Sequence, residues 1–431
     1  MNSETLKVAI DARVTPASAG GVAQVMLGLI RALGHLDDPS TSYKIIVESE
    51  VEQDFLKAHL GVSQHFAVKP RPSQKRLQTL LKRTKASVSH RVFGENSRHP
   101  SYPPMSDGHI ESLGCDVIHF PHQRFQLCSL PAIYNPHDLQ HLHLPQFFRP
   151  ADIAQREVIY RWGCQLADTV AVSSRWIKED VVKQYQISES KVQIIPWAPP
   201  TEAYADPSPE EVSAVEKKYH LERPFAMYPA VTWPHKNHLR TMEALALLRD
   251  TRNLKVNLVC TGSRLEPHWS EIQRRIDQLN LGSQVSFLGF VSDSDLRAIY
   301  KLSQFMIMPS LFESDSSPVY EAWLEGKPVA CANVTSLPVQ IMDAGILFDP
   351  YAAEAIADAM GRLSTDEELR RRLAELGRLR VKDYDWERTA KAYRALYRRA
   401  AGFQLSEEDN WLLSWDWMEK PMRRSDHRSE V

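Results

Sequence analysis

Cysteine is scarce in this chain, and its few copies are far apart. The 431 residues contain five cysteines, none of them in a CxxC pair. The N-terminus also shows no signal peptide, so we expect buried, reduced thiols and a cytoplasmic location. The five are Cys115, Cys128, Cys164, Cys260 and Cys331.

Long hydrophobic runs are also missing, as is an excess of charge of either sign. No apolar stretch is long enough to span a bilayer. Lys plus Arg number 52 against 54 for Asp plus Glu, a net charge of −2, so the chain as a whole is not built to bind nucleic acid or another polyanion. With 43% hydrophobic and 25% charged residues, it has the composition of a soluble globular protein long enough for two or three domains.

Short apolar runs alternate regularly with helical patterns along the chain. This alternation predicts an α/β fold with open, mostly parallel sheets. A proline-dense stretch at 196–209 places a boundary near residue 200, so we expect one domain over 1–200 and another over 201–385. Strands are predicted at 6–10, 43–47, 116–120, 132–135, 169–172, 192–195, 225–230, 256–260, 285–288, 305–308, 328–331 and 346–348.

The rest of the chain is expected to be organised around the stretch 303–350. An apolar run at 305–308 fits a buried strand, and Ser317 before Pro318 fits the N-cap and first residue of a helix that Gly326 ends. The N-terminus of such a helix favours an anion, which predicts a phosphate site there. The candidate phosphate-binding residues are Ser316, Ser317, Pro318 and Val319.

Two carboxylates accompany this helix, Glu313 in the loop and Glu321 in the helix itself. A carboxylate near a phosphate is unfavourable unless it accepts hydrogen bonds from neutral hydroxyls, which favours a sugar or a ribose as the ligand of each. The motif is Glu-x7-Glu in the setting Phe-Glu, Pro, Glu-Ala and Gly-Lys-Pro. It resembles the motif of the retaining nucleotide-sugar glycosyltransferases of family GT4, which have the GT-B fold.

The resemblance covers about residues 5–403 and implies two Rossmann-like domains that face each other across a cleft. The first domain would bind the acceptor and the second the nucleotide sugar, and a C-terminal helix at 386–403 would cross back to the first domain. Glu321 would bind the ribose hydroxyls and Glu313 those of the transferred sugar, with Glu321 the deeper of the two.

A glycine pair opens the first predicted helix, directly after the first strand and its loop. Gly20 and Gly21 either form a tight turn or let the backbone approach a ligand closely. In the resemblance, this glycine loop faces the donor phosphates and the acceptor.

Histidines cluster after the strand at 132–135. His137 resembles the GT4 histidine that hydrogen-bonds the transferred sugar. A metal site is the alternative, because His137 and His141 have the spacing of HExxH. Against it, Asp138 replaces the glutamate, and the prolines at 136 and 145 favour a loop over a helix.

A cation is expected where the first strand of the second domain ends. Lys236 lies there and matches the lysine of the GT4 signature, which would stabilise the charge that develops on a departing diphosphate. The alternative, a surface lysine at a helix start, is disfavoured by the helix dipole. Many family members carry an arginine five positions earlier, where this chain has Val231. The predicted catalytic residues are therefore His137, Lys236 and Glu313.

These observations favour a retaining hexosyltransferase that needs no metal or cofactor beyond its nucleotide-sugar substrate. The segments 22–33 and 232–238 look most like bacterial mannosyltransferases of cell-surface polysaccharide, which favours GDP-mannose as donor and a saccharide or lipid-linked saccharide as acceptor. The alternatives are a UDP-sugar transferase or epimerase of the same fold, a histidine-site metallohydrolase, and an inactive sugar-binding scaffold. The sequence leaves the oligomeric state open.

Two segments lie outside the predicted domain cores. The insert 69–98 has nine Lys or Arg against a single acid, with apolar residues at helical spacing. Either its apolar stripe packs on the sheet and the cations are solvated, or the helix lies on an anionic membrane surface, at the inner face.

The segment 404–431 begins with an apolar, tryptophan-rich stretch that is expected to dock on the body or on a partner, with the last ten residues loose.

Overall fold

Two parallel β-sheets flanked by helices form the fold of this chain in a computed structural model. The structure describes residues 5–14, 21–69, 103–199 and 205–415. Every pairing between neighbouring strands of the two sheets is parallel, which requires crossover connections of the kind that helices provide. The predicted fold class is confirmed, since both sheets are of the Rossmann-like, doubly wound type.

The sheet of the first domain has the strand order β3-β2-β1-β4-β5-β6-β7 within the described residues. Its strands are β1 (Leu6–Asp11), β2 (Thr41–Val47), β3 (Gln64–Val68), β4 (Val117–Phe120), β5 (Ala132–Tyr134), β6 (Thr169–Val172) and β7 (Val192–Ile194). The helices are α1 (Gly21–His35), α2 (Glu50–Lys57), α3 (His109–Ser112), α4 (Gln140–His143), α5 (Pro150–Leu166) and α6 (Arg175–Tyr185). The strand order reverses between β1 and β4, which opens a crevice at their carboxyl ends.

The sheet of the second domain has the order β10-β9-β8-β11-β12-β13, again within the described residues. Its strands are β8 (Phe225–Pro229), β9 (Asn257–Thr261), β10 (Val285–Phe287), β11 (Phe305–Met308), β12 (Val329–Ala332) and β13 (Gly345–Phe348). The helices are α7 (Pro209–Lys218), α8 (His238–Arg252), α9 (His268–Gln278), α10 (Asp293–Leu302), α11 (Ser317–Leu324), α12 (Leu337–Ile341), α13 (Ala353–Thr365) and α14 (Glu367–Val381). Here the order reverses between β8 and β11.

Helix α15 (Trp386–Ala400) leaves the second domain and packs on the first, as the resemblance implies. Its first residue lies against Gly28 of α1, where an added Cβ would be 2.2 Å from a ring carbon of Trp386. Further along, the Tyr397 hydroxyl is 2.8 Å from Nδ1 of the buried His119 on β4. The helix therefore forms part of the hydrophobic core of the first domain.

Helix α16 (Glu407–Ser414) places the apolar start of the tail on the body of the protein. Leu412 is 1% exposed in the core of the first domain, and the buried Asp409 accepts a hydrogen bond of 2.8 Å from Arg398 on α15. The final segment, 416–431, lies outside the described residues, so the expectation that its end is loose stays a prediction.

Two features differ from the predicted elements. Strand β3 has no counterpart among the predicted strands, and it runs directly into the basic insert. Of that insert only Lys69 is described. Residues 70–98 lie outside the described ranges, so both interpretations of the basic helix stay predictions.

Helix α11 begins at Ser317, so the N-cap is Ser316 and Pro318 is the second helical residue. Proline fits there because first-turn N–H groups lack an intrahelical acceptor.

None of the helices in the described ranges combines the length and the hydropathy needed to cross a bilayer.

Candidate functional site

The loops that follow β8 and β11 meet at the carboxyl edge of the second sheet, where its strand order reverses. The Leu311 N–H donates to the His235 carbonyl over 2.7 Å and joins the two loops directly. Asn237, in a left-handed conformation with φ of 60°, donates from its side-chain amide to the carbonyls of Pro309 at 3.0 Å and Pro350 at 2.8 Å. These bonds fix the short 3-10 turn Pro234–Lys236 beside the acidic loop.

Lys236 and Glu313 form an ion pair at this edge. The lysine Nζ donates to Glu313 Oε1 over 2.5 Å, and the two side chains are 20% and 10% exposed. The backbone of Glu313 is held from both sides by Thr335, whose hydroxyl donates to the Glu313 carbonyl at 2.5 Å and accepts from its N–H at 3.1 Å. The sequence proposes both residues for the site, and the structure shows that they are in direct contact.

Glu321 projects from α11 into a different environment. Its Oε2 accepts a hydrogen bond of 2.8 Å from the buried Tyr300 hydroxyl. Burial raises the pKa of Glu321 to about 7, although this bond opposes the shift. Counted over the whole residue, backbone included, Glu313 and Glu321 are both 8% exposed, so the helix-borne acid is not the deeper one by exposure. What distinguishes them is that Glu313 has a cationic partner and Glu321 a neutral one.

The N-terminus of α11 offers fewer free donors than the sequence predicts. The Ser316 N–H donates to Gln340 Oε1 at 3.1 Å, and the Val319 N–H donates to the Ser316 carbonyl at 3.1 Å. Pro318 has no N–H. By position the Ser317 N–H lacks an intrahelical acceptor, and the Ser316 hydroxyl is buried with no hydrogen-bond partner among the described residues. An anion here would therefore meet Ser317 and the Ser316 side chain first.

His137 occupies the corresponding edge of the first domain, after β5. It has a left-handed backbone with φ of 64°, which is uncommon for a residue with a side chain. Its Nε2 lies 2.9 Å from the Pro121 carbonyl, which can only accept, so Nε2 carries the proton and Nδ1 is an acceptor. Burial lowers the pKa of His137 to about 4, and the ring is neutral near pH 7.

The two histidines with the HExxH spacing, His137 and His141, turn to separate partners. Nε2 of His137 is 2.9 Å from the Pro121 carbonyl, and Nε2 of His141 is 2.9 Å from Glu157. Nowhere in the described ranges do three or more His, Cys, Asp or Glu side chains gather in a way that could hold a metal ion. The HExxH-like spacing therefore does not correspond to a shared ligand set.

Two charged residues of the first domain interact electrostatically with residues at this edge of the second domain. Burial raises the pKa of Asp138, and the charge of Glu313 in the other domain raises it further. The guanidinium of Arg156 lies 4.7 Å above the Phe148 ring. The pKa of His235 is lowered well below its ordinary value, mainly by burial and to a smaller extent by Lys236 and Arg156. Asp138 could be suspected from the sequence because it lies shortly after strand β5. Nothing in the sequence distinguishes Arg156 from the other arginines.

The predicted glycine loop is described only in part. Gly20 lies outside the described residues, whereas Gly21 is the first residue of α1. A Cβ on Gly21 would meet no atom of the described residues within 4 Å, so the side chains that the structure describes do not require glycine there. At the end of β1, Asp11 is fully buried and receives two hydrogen bonds from the Arg13 side chain, at 2.7 and 2.6 Å. The Arg13 and His122 charges hold the pKa of Asp11 well below its usual range despite burial.

Comparisons with known proteins point to one enzyme family. Residues 58–202 match the family described as Glycosyltransferase Family 4, and residues 212–380 match Glycosyl transferases group 1. The chain is 25% identical over 272 residues to the O-antigen chain mannosyltransferase B of Escherichia coli, a match that covers 62% of this chain and 70% of that protein. It is 29% identical over 226 residues to the serotype-specific mannosyltransferase WbdA of Escherichia coli.

The match to WbdA covers 52% of this chain but only 28% of that longer protein. Among solved structures, Anabaena HepE in complex with UDP and glucose is similar in fold, with a TM-score of 0.67 at 15% identity over 91% of this chain and 100% of that one. The two family matches fall one on each domain. The chain therefore belongs to the GT4-type glycosyltransferases with the GT-B fold.

Proposed function

We propose that this chain transfers mannose from GDP-mannose to a saccharide, with retention at the anomeric carbon, in the synthesis of a cell-surface polysaccharide. The observation that carries the proposal is the Lys236–Glu313 pair at the edge of the second sheet. The pair joins a cation suited to a diphosphate with an acid suited to sugar hydroxyls. The charge of Glu313 also raises the pKa of Asp138 in the other domain.

Each residue has a role that follows from its charge and partner. Transfer breaks the bond between the anomeric carbon and a diphosphate oxygen, so negative charge develops on the leaving group. The Lys236 ammonium stabilises that charge, helped by the N-terminus of α11. Glu313 accepts hydrogen bonds from the sugar hydroxyls and Glu321 from those of the ribose. Nδ1 of the neutral His137 accepts one more sugar hydroxyl.

The choice of mannose rests on relatives. O-antigen chain mannosyltransferase B and WbdA are both named as mannosyltransferases. A UDP-sugar is the competing donor, because the structural neighbour HepE is in complex with UDP and glucose. For the acceptor we propose a growing saccharide, free or lipid-linked. Contact with an anionic membrane rests only on the charge pattern of residues 69–98.

A binding and transfer panel tests the proposal. The intact protein is heated with GDP, UDP or ADP, each with its hexose sugars, and donors that raise Tm are then offered with oligomannoside acceptors. A ligand at about a hundred times its Kd stabilises a protein by about 2.7 kcal/mol, which corresponds to several degrees in Tm for domains of this size. We expect GDP and GDP-mannose to give the largest shifts, and GDP-mannose to be consumed.

The outcomes separate the parts of the proposal. A shift with UDP and a UDP-sugar alone would replace the donor and leave the transferase role intact. If NMR of the product shows that the configuration of the anomeric carbon is inverted, the proposed retaining mechanism is wrong. The absence of any nucleotide-induced shift would contradict the transferase role itself.

A further inference from the structure

The two domains touch through residues that flank Glu313 in sequence. Phe312 is 3% exposed and projects between two rings of the first domain. Its ring centroid is 5.6 Å from that of His143 and 5.5 Å from that of Trp176, which it meets edge-on at 84°. Phe312, the residue just before the proposed sugar-binding Glu313, therefore packs against side chains of the opposite domain.

A second contact links the domains on the other side of Glu313. Ser174, in the loop between β6 and α6, has its hydroxyl 2.7 Å from the Ser336 hydroxyl and 3.3 Å from the Ser314 carbonyl. All three groups are satisfied when the Ser336 hydroxyl donates to Ser174 and the Ser174 hydroxyl donates to Ser314. Ser174 and Ser336 are 4% and 2% exposed, so water does not compete for these bonds.

The second contact leads back to Glu313 through the backbone. Ser336 follows Thr335, whose hydroxyl holds both the N–H and the carbonyl of Glu313, and the Ser336 N–H lies 3.4 Å from the same carbonyl. Residues on both sides of Glu313 and the segment that fixes its main chain are therefore all in contact with the first domain.

We propose that Ser174, together with the ring pair His143 and Trp176, forms a set of positioning residues that fix Glu313 when the domains meet. The inference rests on the proposed role of Glu313 as the acid that binds the transferred sugar. With the contacts made, Glu313 is held where its carboxylate lies beside Lys236. Without them, residues 311–314 lose their support from the first domain, and a displacement on the order of 1 Å lowers turnover strongly, whereas Ser316 keeps its bonds to Gln340 within the second domain. The nucleotide site around Glu321 stays as it is.

Hydroxyl deletions in one loop test this inference in the full-length protein. Ser174→Ala removes the contact and also the bond of 3.3 Å by which the Ser174 hydroxyl caps α6 at the Ile177 N–H. Ser336→Ala removes the contact and leaves that cap, Ser174→Thr keeps a hydroxyl for both, and Ser173→Ala is the control for loss of a buried serine hydroxyl in the same loop. Ser173 is 3% exposed, like its neighbour, but its hydroxyl has no hydrogen-bond partner among the described residues. We expect Ser174→Ala to lower kcat about tenfold or more with the Kd for GDP within twofold of the parent, whereas Ser173→Ala keeps the parental kcat and Ser174→Thr recovers most of it.

A double variant tests whether the two serines act as one contact. Because each single substitution already breaks the bond, Ser174→Ala combined with Ser336→Ala is expected to lower kcat no further than the more damaging single variant. Phe312→Ala is expected to show the same split, with lower kcat and unchanged GDP affinity. Phe305→Leu, in the core of the same domain at 0% exposure, lowers Tm without that split.

The results distinguish this inference from the proposed function. If the parent transfers sugar and Ser174→Ala runs at the rate of Ser173→Ala, the positioning role is wrong while the transferase role stands. Equal loss of GDP affinity and kcat in Ser174→Ala also contradicts it, since the nucleotide site should be untouched. A parent that transfers from no nucleotide sugar overturns both.

Discussion

Nζ of Lys236 lies 2.5 Å from Oε1 of Glu313, and the two residues come from loops that follow different strands of one sheet. Each is the other's partner before any donor arrives. In the proposed reaction, the lysine turns to the diphosphate and the acid to the sugar hydroxyls when a nucleotide sugar binds. The pairing therefore holds both side chains in place, which reduces the reorganisation needed at the moment of transfer.

Removal of the cation should affect turnover more than binding. One preorganised electrostatic contact to a transition state is worth about two to three orders of magnitude in kcat. Val231 stands where many family members have an arginine, so we expect Lys236→Ala to lose at least that much, with a smaller loss of GDP affinity. Initial rates and isothermal titration measure the two effects. Lys218→Ala is the control, because Lys218 pairs with Asp295 at 2.7 Å elsewhere in the same domain.

Replacement of Glu313 and replacement of Glu321 should have different effects on nucleotide affinity and turnover. Glu321→Ala removes the proposed ribose ligand, so the Kd for GDP and for GDP-mannose should rise together. Glu313→Ala should lower kcat by about two orders of magnitude while the Kd for GDP stays nearly constant. Titration calorimetry with GDP compares them. Equal loss of GDP affinity in both variants would show that the assignment is wrong.

Glu321 should make the stability of the protein fall as pH rises. Its folded-state pKa of about 7 lies above the ordinary 4.5, so between these values the folded protein keeps a proton that the unfolded chain has released. Stability is therefore lost across this window as pH increases. Glu321→Gln should be more stable than the parent at pH 8, by up to about 3 kcal/mol, and similar to it near pH 4.5.

Urea unfolding at pH 4.5, 6 and 8 provides the measurement. Glu375→Gln, at an exposed position of α14, controls for the isosteric change. Burial also raises the pKa of Asp315 to about 7, so the comparison is between variant and parent at each pH. Parallel stability curves for the parent and Glu321→Gln would contradict the raised pKa.

The contact between Ser174 and Ser336 should be convertible into a covalent link. Their hydroxyl oxygens are 2.7 Å apart, so cysteines at both positions are within reach of a disulfide. Mild oxidation of the double Cys variant should crosslink the domains, shift its mobility in a non-reducing gel and slow turnover until reductant is added. The native cysteines are free, and four of the five are buried. The same yield from cysteines at 173 and 336 would count against the observed geometry.

Chelation should leave transfer unchanged. The proposed charge stabilisation comes from Lys236 and the N-terminus of α11, so it needs no divalent cation. We expect the same kcat in excess EDTA as in buffer with added magnesium or manganese. Loss of activity with EDTA and recovery with one metal would show that a cation takes part.

Local sequence patterns account for much of the site. The apolar run at 305–308 predicts β11, and the glutamate spacing in its strand–loop–helix setting identifies Glu313 and Glu321. Lys236 follows from its position after β8. Each of these predictions uses residues that are close in sequence, where periodicity and turn chemistry determine the structure.

The rest of the site depends on contacts between distant segments. Ser174 meets Ser336 across 162 positions, and Gln340 takes the N–H of Ser316 that the sequence assigns to a phosphate. No periodicity marks such pairs. Strand β3 is not predicted from the sequence, because Gln64 and His65 interrupt its apolar pattern. Its register is set by pairing with β2, which is distant in sequence.

The packing of α15 determines when the first domain can finish folding. Trp386 fills the space above Gly28, and the Tyr393 hydroxyl accepts a hydrogen bond of 2.7 Å from Asn135 after β5. Domains usually fold as units in the order of their synthesis, but this one lacks part of its core until the second domain and α15 have also been synthesised. A nascent or truncated chain that ends before residue 386 would therefore expose apolar surface on its first domain rather than its second, and chaperones would meet it there.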